Sequence, residues 1–207
     1  MHEQYETEQE RFWAGEFGDA YMERNRRPEQ LAAKVAVFAK ILSSAGDVGS
    51  VLELGANVGL NLEALHGLLP AAELAAVEIN HKAAGELRRF DWLTVYESSV
   101  HEFQPRAPVD LVLTSGMLIH INPTKLADVY GTLYTASQRY ICLIEYYNPT
   151  PVELLYRGER GKLFKRDFAG ELLDAYPDLR LCAYGFQYHR DRNFPMDDAT
   201  WFLIEKK

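Results

Sequence analysis

The sequence predicts an α/β protein built on a mostly parallel sheet with helices on both faces. Three observations predict it. Short apolar runs alternate along the chain with segments of helical spacing. Residues 51–61, Val-Leu-Glu-Leu-Gly-Ala-Asn-Val-Gly-Leu-Asn, read as a strand, a tight glycine turn and the start of a helix. Acids stand at the ends of the first two strand runs, Glu53 before the turn and Glu78 after residues 74–77. In such sheets ligands bind beyond the carboxyl ends of the strands. That puts Gly55, Glu78, Ser98, Ser115 and Tyr146 on one rim.

Residues 1–11 are polar and expected to be loosely held. Phe12, Trp13, Phe17 and Tyr21 follow, in a segment ending Glu23-Arg24-Asn25-Arg26-Arg27. It reads either as a helix packed on the domain or as a lid, with Tyr21 and Arg24 near a ligand carboxylate. Pro28 suits the first turn of the next helix. Leu31, Val35, Phe38 and Leu42 mark its face and Gly46 ends it, so residues 1–46 form the expected helical lid. Residues 51–54 are apolar except for Glu53, as in a strand buried on both faces. Leu60, Leu62, Leu65, Leu68 and Leu69 then recur at helical spacing.

Pro70 breaks the chain before the second strand, residues 74–77, and residues 80–90 look helical. Residues 93–96 are a third strand, followed by Glu97, Ser98 and Ser99. After a loop with Pro105 and Pro108, residues 109–114 form a fourth strand ending in Ser115-Gly116. Asn122 is a good N-cap and Pro123 a good first residue for a helix with Leu126, Val129, Tyr130 and Leu133 inward. Residues 140–145 are a fifth strand. Residues 147–165 hold Pro149, Pro151, Gly158 and Gly161, too much punctuation for one regular element. A helix over residues 167–176 and strands over 179–186 and 200–205 close the chain. There is no repeat and no second-domain boundary, so residues 1–207 read as one domain.

The net charge of −8 disfavours wholesale nucleic-acid binding. The two cysteines, Cys142 and Cys182, sit in apolar strand-like runs and are expected as buried thiols. No Cys/His group has zinc spacing, so no metal is expected. No secretory or membrane-spanning run appears, and the expectation is a reduced, cytoplasmic protein, monomer or homodimer.

The glycine turn narrows the ligand. A dinucleotide turn reads Gly-x-Gly-x-x-Gly, its middle glycine admitting the pyrophosphate. Here that place is Asn57 and the third is Leu60. Glu53 suits an amino group better than phosphates. Glu78 can accept both ribose hydroxyls of a nucleoside. An amino acid joined to a nucleoside without a diphosphate describes S-adenosylmethionine.

The sequence resembles class I S-adenosylmethionine-dependent methyltransferases, and more narrowly the pseudaminic acid biosynthesis-associated methylases. The resemblance runs through Phe-Trp-Ala-Gly-Glu-Phe-Gly-Asp-Ala-Tyr from Phe12, Glu-Leu-Gly-Ala-Asn-Val-Gly-Leu-Asn from Glu53, Ser-Gly-Met-Leu-Ile-His-Ile-Asn-Pro from Ser115 and Glu-Tyr-Tyr-Asn-Pro-Thr-Pro-Val-Glu from Glu145. It implies a Rossmann-like, doubly wound sheet of seven strands, the last antiparallel. It implies Glu53, Gly55 and Gly59 at the methionine end, Glu78 at the ribose, and Ser98 and Ser99 at the adenine. Asn57, Asn61, Ile79 and Ser115 complete the candidate cofactor set. Asn57 departs from the family's usual glycine.

For the chemistry, His120 is the candidate general base, against a packed structural histidine. Residues 147–166 carry Arg157, Arg160, Lys162, Lys165 and Arg166 against Glu153 and Glu159. With Tyr146, Asn148 and Tyr156 they are expected to form an insert that binds an anionic small-molecule acceptor, and His189 to close the same pocket. A sugar nucleotide or a nonulosonic acid would fit. The alternatives are methyl transfer to a protein or tRNA, and a catalytically silent cofactor-binding subunit.

Overall fold

The computed structural model describes residues 5–24 and 29–207. The elements, in chain order, are α1 (Glu8–Ala14), α2 (Glu16–Arg24), α3 (Glu29–Leu42), β1 (Ser50–Leu54), α4 (Leu60–Leu68), β2 (Glu73–Glu78), α5 (His81–Leu87), β3 (Leu93–Glu97), β4 (Val109–Ser115), α6 (Leu126–Ala136), β5 (Ser137–Glu145), β6 (Val152–Tyr156), β7 (Glu159–Lys165), α7 (Phe168–Ala175), β8 (Leu179–Phe186) and β9 (Thr200–Lys206). Seven strands form one sheet in the order β3-β2-β1-β4-β5-β9-β8. β1 to β5 are parallel, and β9 enters antiparallel between β5 and β8. This is the Rossmann-like sheet expected from the alternation of elements. The strand order reverses between β1 and β4, and such a switch point opens a crevice at the strand ends.

Alternating residues of each central strand feed two cores. Val51, Leu111, Leu113 and Cys142 pack with Phe38 and Ile41 of α3 and with Leu62 and Leu65 of α4. Leu52, Leu54, Val112, Ile141 and Leu143 pack with α6 and α7 through Val129, Leu133, Phe168 and Leu172. Burying one such side chain stabilises the fold by about 1.5–3 kcal/mol. Glu53 lies in register with Val51, so it points into the α3/α4 layer. That alternation decides which helices can reach its carboxylate.

Four expectations are corrected. Residues 5–11 are not loosely held: Thr7, Gln9 and Glu10 are buried, and Thr7 and Glu10 cap α1 reciprocally. The lid expected over residues 1–46 divides: α3 packs into a helical layer of the sheet through Phe38 and Ile41 and reaches the strand ends only with Gln30 and Lys34, while α1 and α2 lie over them. The segment after β5 is not a loop but a separate β6–β7 hairpin. Tyr156 pairs with Glu159, and Arg157 (φ 51°) and Gly158 (φ 92°) between them make a two-residue turn with positive φ at both positions, the geometry that matches strand twist. Cys182 is exposed on the edge strand β8, while Cys142 is buried as expected, its thiol pushed up to about 12 by burial. Pro28 and the side chain of Arg24 lie outside the described residues.

Candidate functional site

The glycine turn after β1 is built for close approach. Gly55 (φ 76°) and Gly59 (φ 83°) both take left-handed backbone, and a Cβ on either would come within 2.7 Å of Met117 or Leu87. Asn57 also stands at positive φ, 50°. Asparagine tolerates that conformation better than other side chains, which accounts physically for the departure from glycine. The turn is tied down from β2. Glu78 Oε2 accepts from Asn57 N at 2.7 Å and Oε1 from Asn80 N at 2.8 Å. Burial raises the Glu78 carboxyl, and these backbone donors oppose the rise.

Glu53 is fully buried. Asn61 Nδ2 donates to Glu53 Oε1 at 2.5 Å, and Lys34 Nζ donates to Asn61 Oδ1 at 2.6 Å. Glu53 Oε2 has no partner among the described residues. Burial pushes the Glu53 carboxyl up to about 8, against the pull of Asn61 and Lys34. Burial also lowers the Lys34 ammonium, and the Glu53 and Asp197 charges oppose that. An orphaned carboxylate oxygen joined through one amide to a lysine matches both ends of an amino acid: an acceptor for its ammonium and a donor for its carboxylate.

His120 sits on a short 3-10 turn, Leu118–His120, after β4. Glu145, at the end of β5, holds that turn: it accepts from Met117 N and Leu118 N at 3.1 Å and from Thr114 Oγ1 at 2.9 Å. Burial pushes Glu145 up to about 7, with the same donors opposing. His120 Nδ1 lies 2.6 Å from the carbonyl oxygen of Lys162 on β7. Its other nitrogen, Nε2, has no partner among the described residues. Burial lowers the His120 imidazolium to about 4, so the ring is neutral at pH 7.

The helices α1 and α2 close the rim. Gln9 Nε2 donates to Gly161 O at 2.8 Å, Asn80 Nδ2 donates to Asp19 Oδ1 at 3.0 Å, and Ser99 Oγ donates to Glu10 Oε1. The Trp13 ring lies 4.5 Å from that of His120 and 5.0 Å from that of Tyr21. Beneath them lies a cavity of about 270 Å³, just below the roughly 300–1,000 Å³ usual for ligand pockets.

Of the expected cofactor set, Tyr21, Glu53, Gly55, Asn57, Asn61, Glu78, Ile79, Ser98, Ser99 and Ser115 line this cavity; Gly59 does not, and sits against Leu87 and Phe90. Of the expected acceptor set only Tyr146 and Tyr156 line it, with His120. Arg157 is exposed at the hairpin turn, Arg166 pairs with Glu171 at 2.6 Å, and Asn148 Nδ2 donates to Thr150 O at 2.5 Å. Buried Lys162 lies 3.0 Å from Glu8, and exposed His189 lies 2.8 Å from Asp198. These five do not line the cavity.

Sequence reasoning missed Lys34, Glu10, Gln187, Met196 and Asp197, which do. Thr7-Glu8-Gln9-Glu10 has the spacing of a capping box, a signal that marks Glu10 as ordered. Lys34 carries no such signal, because its partner is 27 residues away. Among the described residues no group of three or more histidines, cysteines or acids is placed to hold a metal ion, and no helix is long and apolar enough to cross a membrane.

No protein-family model and no curated protein sequence matches the chain. Solved structures do match its fold. The 1,6-didemethyltoxoflavin-N1-methyltransferase of Burkholderia thailandensis, bound to 1,6-didemethyltoxoflavin and S-adenosylhomocysteine, superposes with a TM-score of 0.68 at 15% identity, over 92% of this chain and 83% of that one. The magnesium protoporphyrin IX methyltransferase of Synechocystis PCC 6803, with bound S-adenosylmethionine, gives 0.67 at 12% identity over 99% and 100%. The plantazolicin methyltransferase BpumL, bound to a desmethyl analogue and S-adenosylhomocysteine, gives 0.64 at 14% identity over 96% and 94%. The chain therefore has the fold of class I S-adenosylmethionine-dependent methyltransferases.

Proposed function

We propose that the chain is an S-adenosylmethionine-dependent methyltransferase acting on a small molecule. The observation that carries this reading is the unpartnered, buried Glu53 Oε2 at the glycine turn, linked through Asn61 to Lys34, with Glu78 beside it on β2. An amino acid's ammonium and carboxylate answer Glu53 and Lys34, and a ribose answers Glu78. Ser98, Ser99 and Glu10 lie at the end of β3, where the base belongs. Asn57 and Leu60 stand where a pyrophosphate would need glycine. The ligand-bound methyltransferases of the same fold support the assignment.

The cofactor supplies an electrophilic methyl group; the chain has to orient a nucleophile and exclude water. Glu145 fixes the turn that carries His120, and the Lys162 carbonyl fixes its tautomer. The lone pair on Nε2 accepts the proton of a hydroxyl or N–H nucleophile. The helices α1 and α2 act as the lid that keeps water out. The finer expectation, an anionic sugar acceptor held by the insert, has no such support, since the insert's arginines and Lys162 do not line the cavity.

The test is incubation with S-adenosylmethionine carrying an isotopically labelled methyl group and a panel of small acceptors, read by mass spectrometry. Labelled acceptor bears the reading out. Binding of S-adenosylhomocysteine with no transfer to any acceptor would leave a silent cofactor-binding protein instead.

A further inference from the structure

The hairpin is irregular where it supplies the Lys162 carbonyl. Its register passes from Leu154 opposite Leu163 to Tyr156 opposite Glu159, so residues 160–162 stand against Leu155 alone. A bulge of this kind bends the strand and re-aims the groups beside it. Two successive carbonyls of the bulge are engaged by side chains. That of Lys162 lies 2.6 Å from His120 Nδ1, and that of Gly161 accepts from Gln9 Nε2 at 2.8 Å.

Buried Gln9 joins this bulge to the turn that carries His120. Its Oε1 accepts from Asn122 Nδ2 at 3.3 Å, two residues after His120. The orientation of both amides is set from outside the pair. Asn122 Oδ1 accepts from Thr124 N at 3.0 Å, which leaves Nδ2 to face Gln9. The Gly161 carbonyl only accepts, so Gln9 turns Nε2 toward it and Oε1 toward Asn122. The two ends agree. Trp13, four residues on, shares that face of α1, and its ring lies 4.5 Å from that of His120. One face of α1 thus meets the imidazole directly and, through β7, the carbonyl that fixes its proton.

Resting on the methyltransferase reading, we propose that Gln9 is a positioning residue for His120. Its amide locks the bulge of β7 against the turn after β4. That keeps the Lys162 carbonyl on Nδ1 and leaves the Nε2 lone pair for the proton of the nucleophile. Neutral histidine in water favours the other tautomer, with its proton on Nε2, and the hydrogen bond at Nδ1 reverses that preference. Such a bond weakens steeply with misalignment, so the bulge has to be held in place. The helix that closes the rim therefore also completes the base.

The test is the tautomer of His120 in the full chain at pH 7, read from side-chain nitrogen shifts in long-range proton–nitrogen spectra. His120→Gln identifies the signals. Gln9→Met keeps the length and packing of the side chain and removes both hydrogen bonds; Gln9→Glu keeps an acceptor for Asn122 and removes the donor to Gly161. The proposal expects the parent ring to carry its proton on Nδ1. The ratio of Nδ1–H to Nε2–H forms should fall by about threefold or more in each variant, as for the loss of one hydrogen bond. A parent ring protonated mainly on Nε2, or a smaller fall in either folded variant, would overturn the proposal. Titration of the parent with S-adenosylhomocysteine is run beside it: failure there counts against the methyltransferase reading, whereas the tautomer ratio bears on Gln9.

Discussion

His120 Nδ1 lies 2.6 Å from the carbonyl oxygen of Lys162. A carbonyl only accepts, so the proton of the neutral ring sits on Nδ1 and the lone pair on Nε2. A strand of the hairpin thereby sets the chemistry of a residue on the other side of the rim. Burial holds the imidazolium near 4, so that lone pair is free across the neutral range.

His120→Ala should therefore lower turnover by about 10²–10⁴-fold, the usual worth of a positioned base. S-adenosylhomocysteine affinity should barely change. In the parent protein His120 itself should contribute no acid limb to kcat above about pH 5, its own limb appearing as pH approaches 4, while protonation of Glu145, raised to about 7, bears on the turn that carries it. Normal turnover of the variant would make His120 a packing residue, and an acid limb centred near 6.5 that the variant loses would contradict the lowering by burial.

Glu53 predicts a proton release. With its carboxyl raised to about 8, it is mostly protonated at pH 7 without a ligand, and a bound ammonium favours its ionised form. Calorimetry of S-adenosylhomocysteine at pH 7 in buffers of different ionisation enthalpy should show a net release of protons. Glu53→Gln should abolish the release and weaken binding. Its partner Lys34→Met should weaken binding by about 1.5–3 kcal/mol, the range for a hydrogen bond to a charged group. An unchanged affinity in the Lys34 variant would remove that residue from the carboxylate site.

Glu205 predicts an acid-sensitive sheet. It lies on β9, with Arg180 of β8 and Arg139 of β5 bonded to its two oxygens, and these hold its carboxyl down to about 2. A depressed carboxyl stabilises the fold above its unfolded value, about 4.3, and that contribution is lost as pH falls from there toward 2. Both arginines are largely solvated, so the effect is screened and modest. Glu205→Gln should lower Tm slightly at pH 7 and not at pH 2. A thermal-melt series with equal differences at both values would contradict it.

The parallel sheet was legible because its strands are buried on both faces and read as apolar runs, and because Gly55 and Gly59 must be glycine for steric reasons. The rim of the candidate site was legible for the same reason: Glu53 and Glu78 are acids inside such runs, and both line the cavity. The acceptor side was not. Lys162 reads as one of a run of surface cations, yet it is buried beside Glu8, a pairing across more than 150 residues. The Arg157-Gly158 turn was hidden by prolines and glycines that signal a loop and a hairpin alike. Cys182 shows the limit of composition: its run is apolar, but β8 is an edge strand.

The central claim is that the Glu53–Asn61–Lys34 chain and Glu78 bind an amino acid joined to a nucleoside. It is tested most directly by calorimetric titration of the full chain with S-adenosylhomocysteine, S-adenosylmethionine and NAD, repeated on Glu78→Gln. The account predicts saturable binding of the first two, none of NAD, and affinity weakened by about 1.5–3 kcal/mol in the variant. Saturable NAD binding with no response to either sulfur ligand would contradict it.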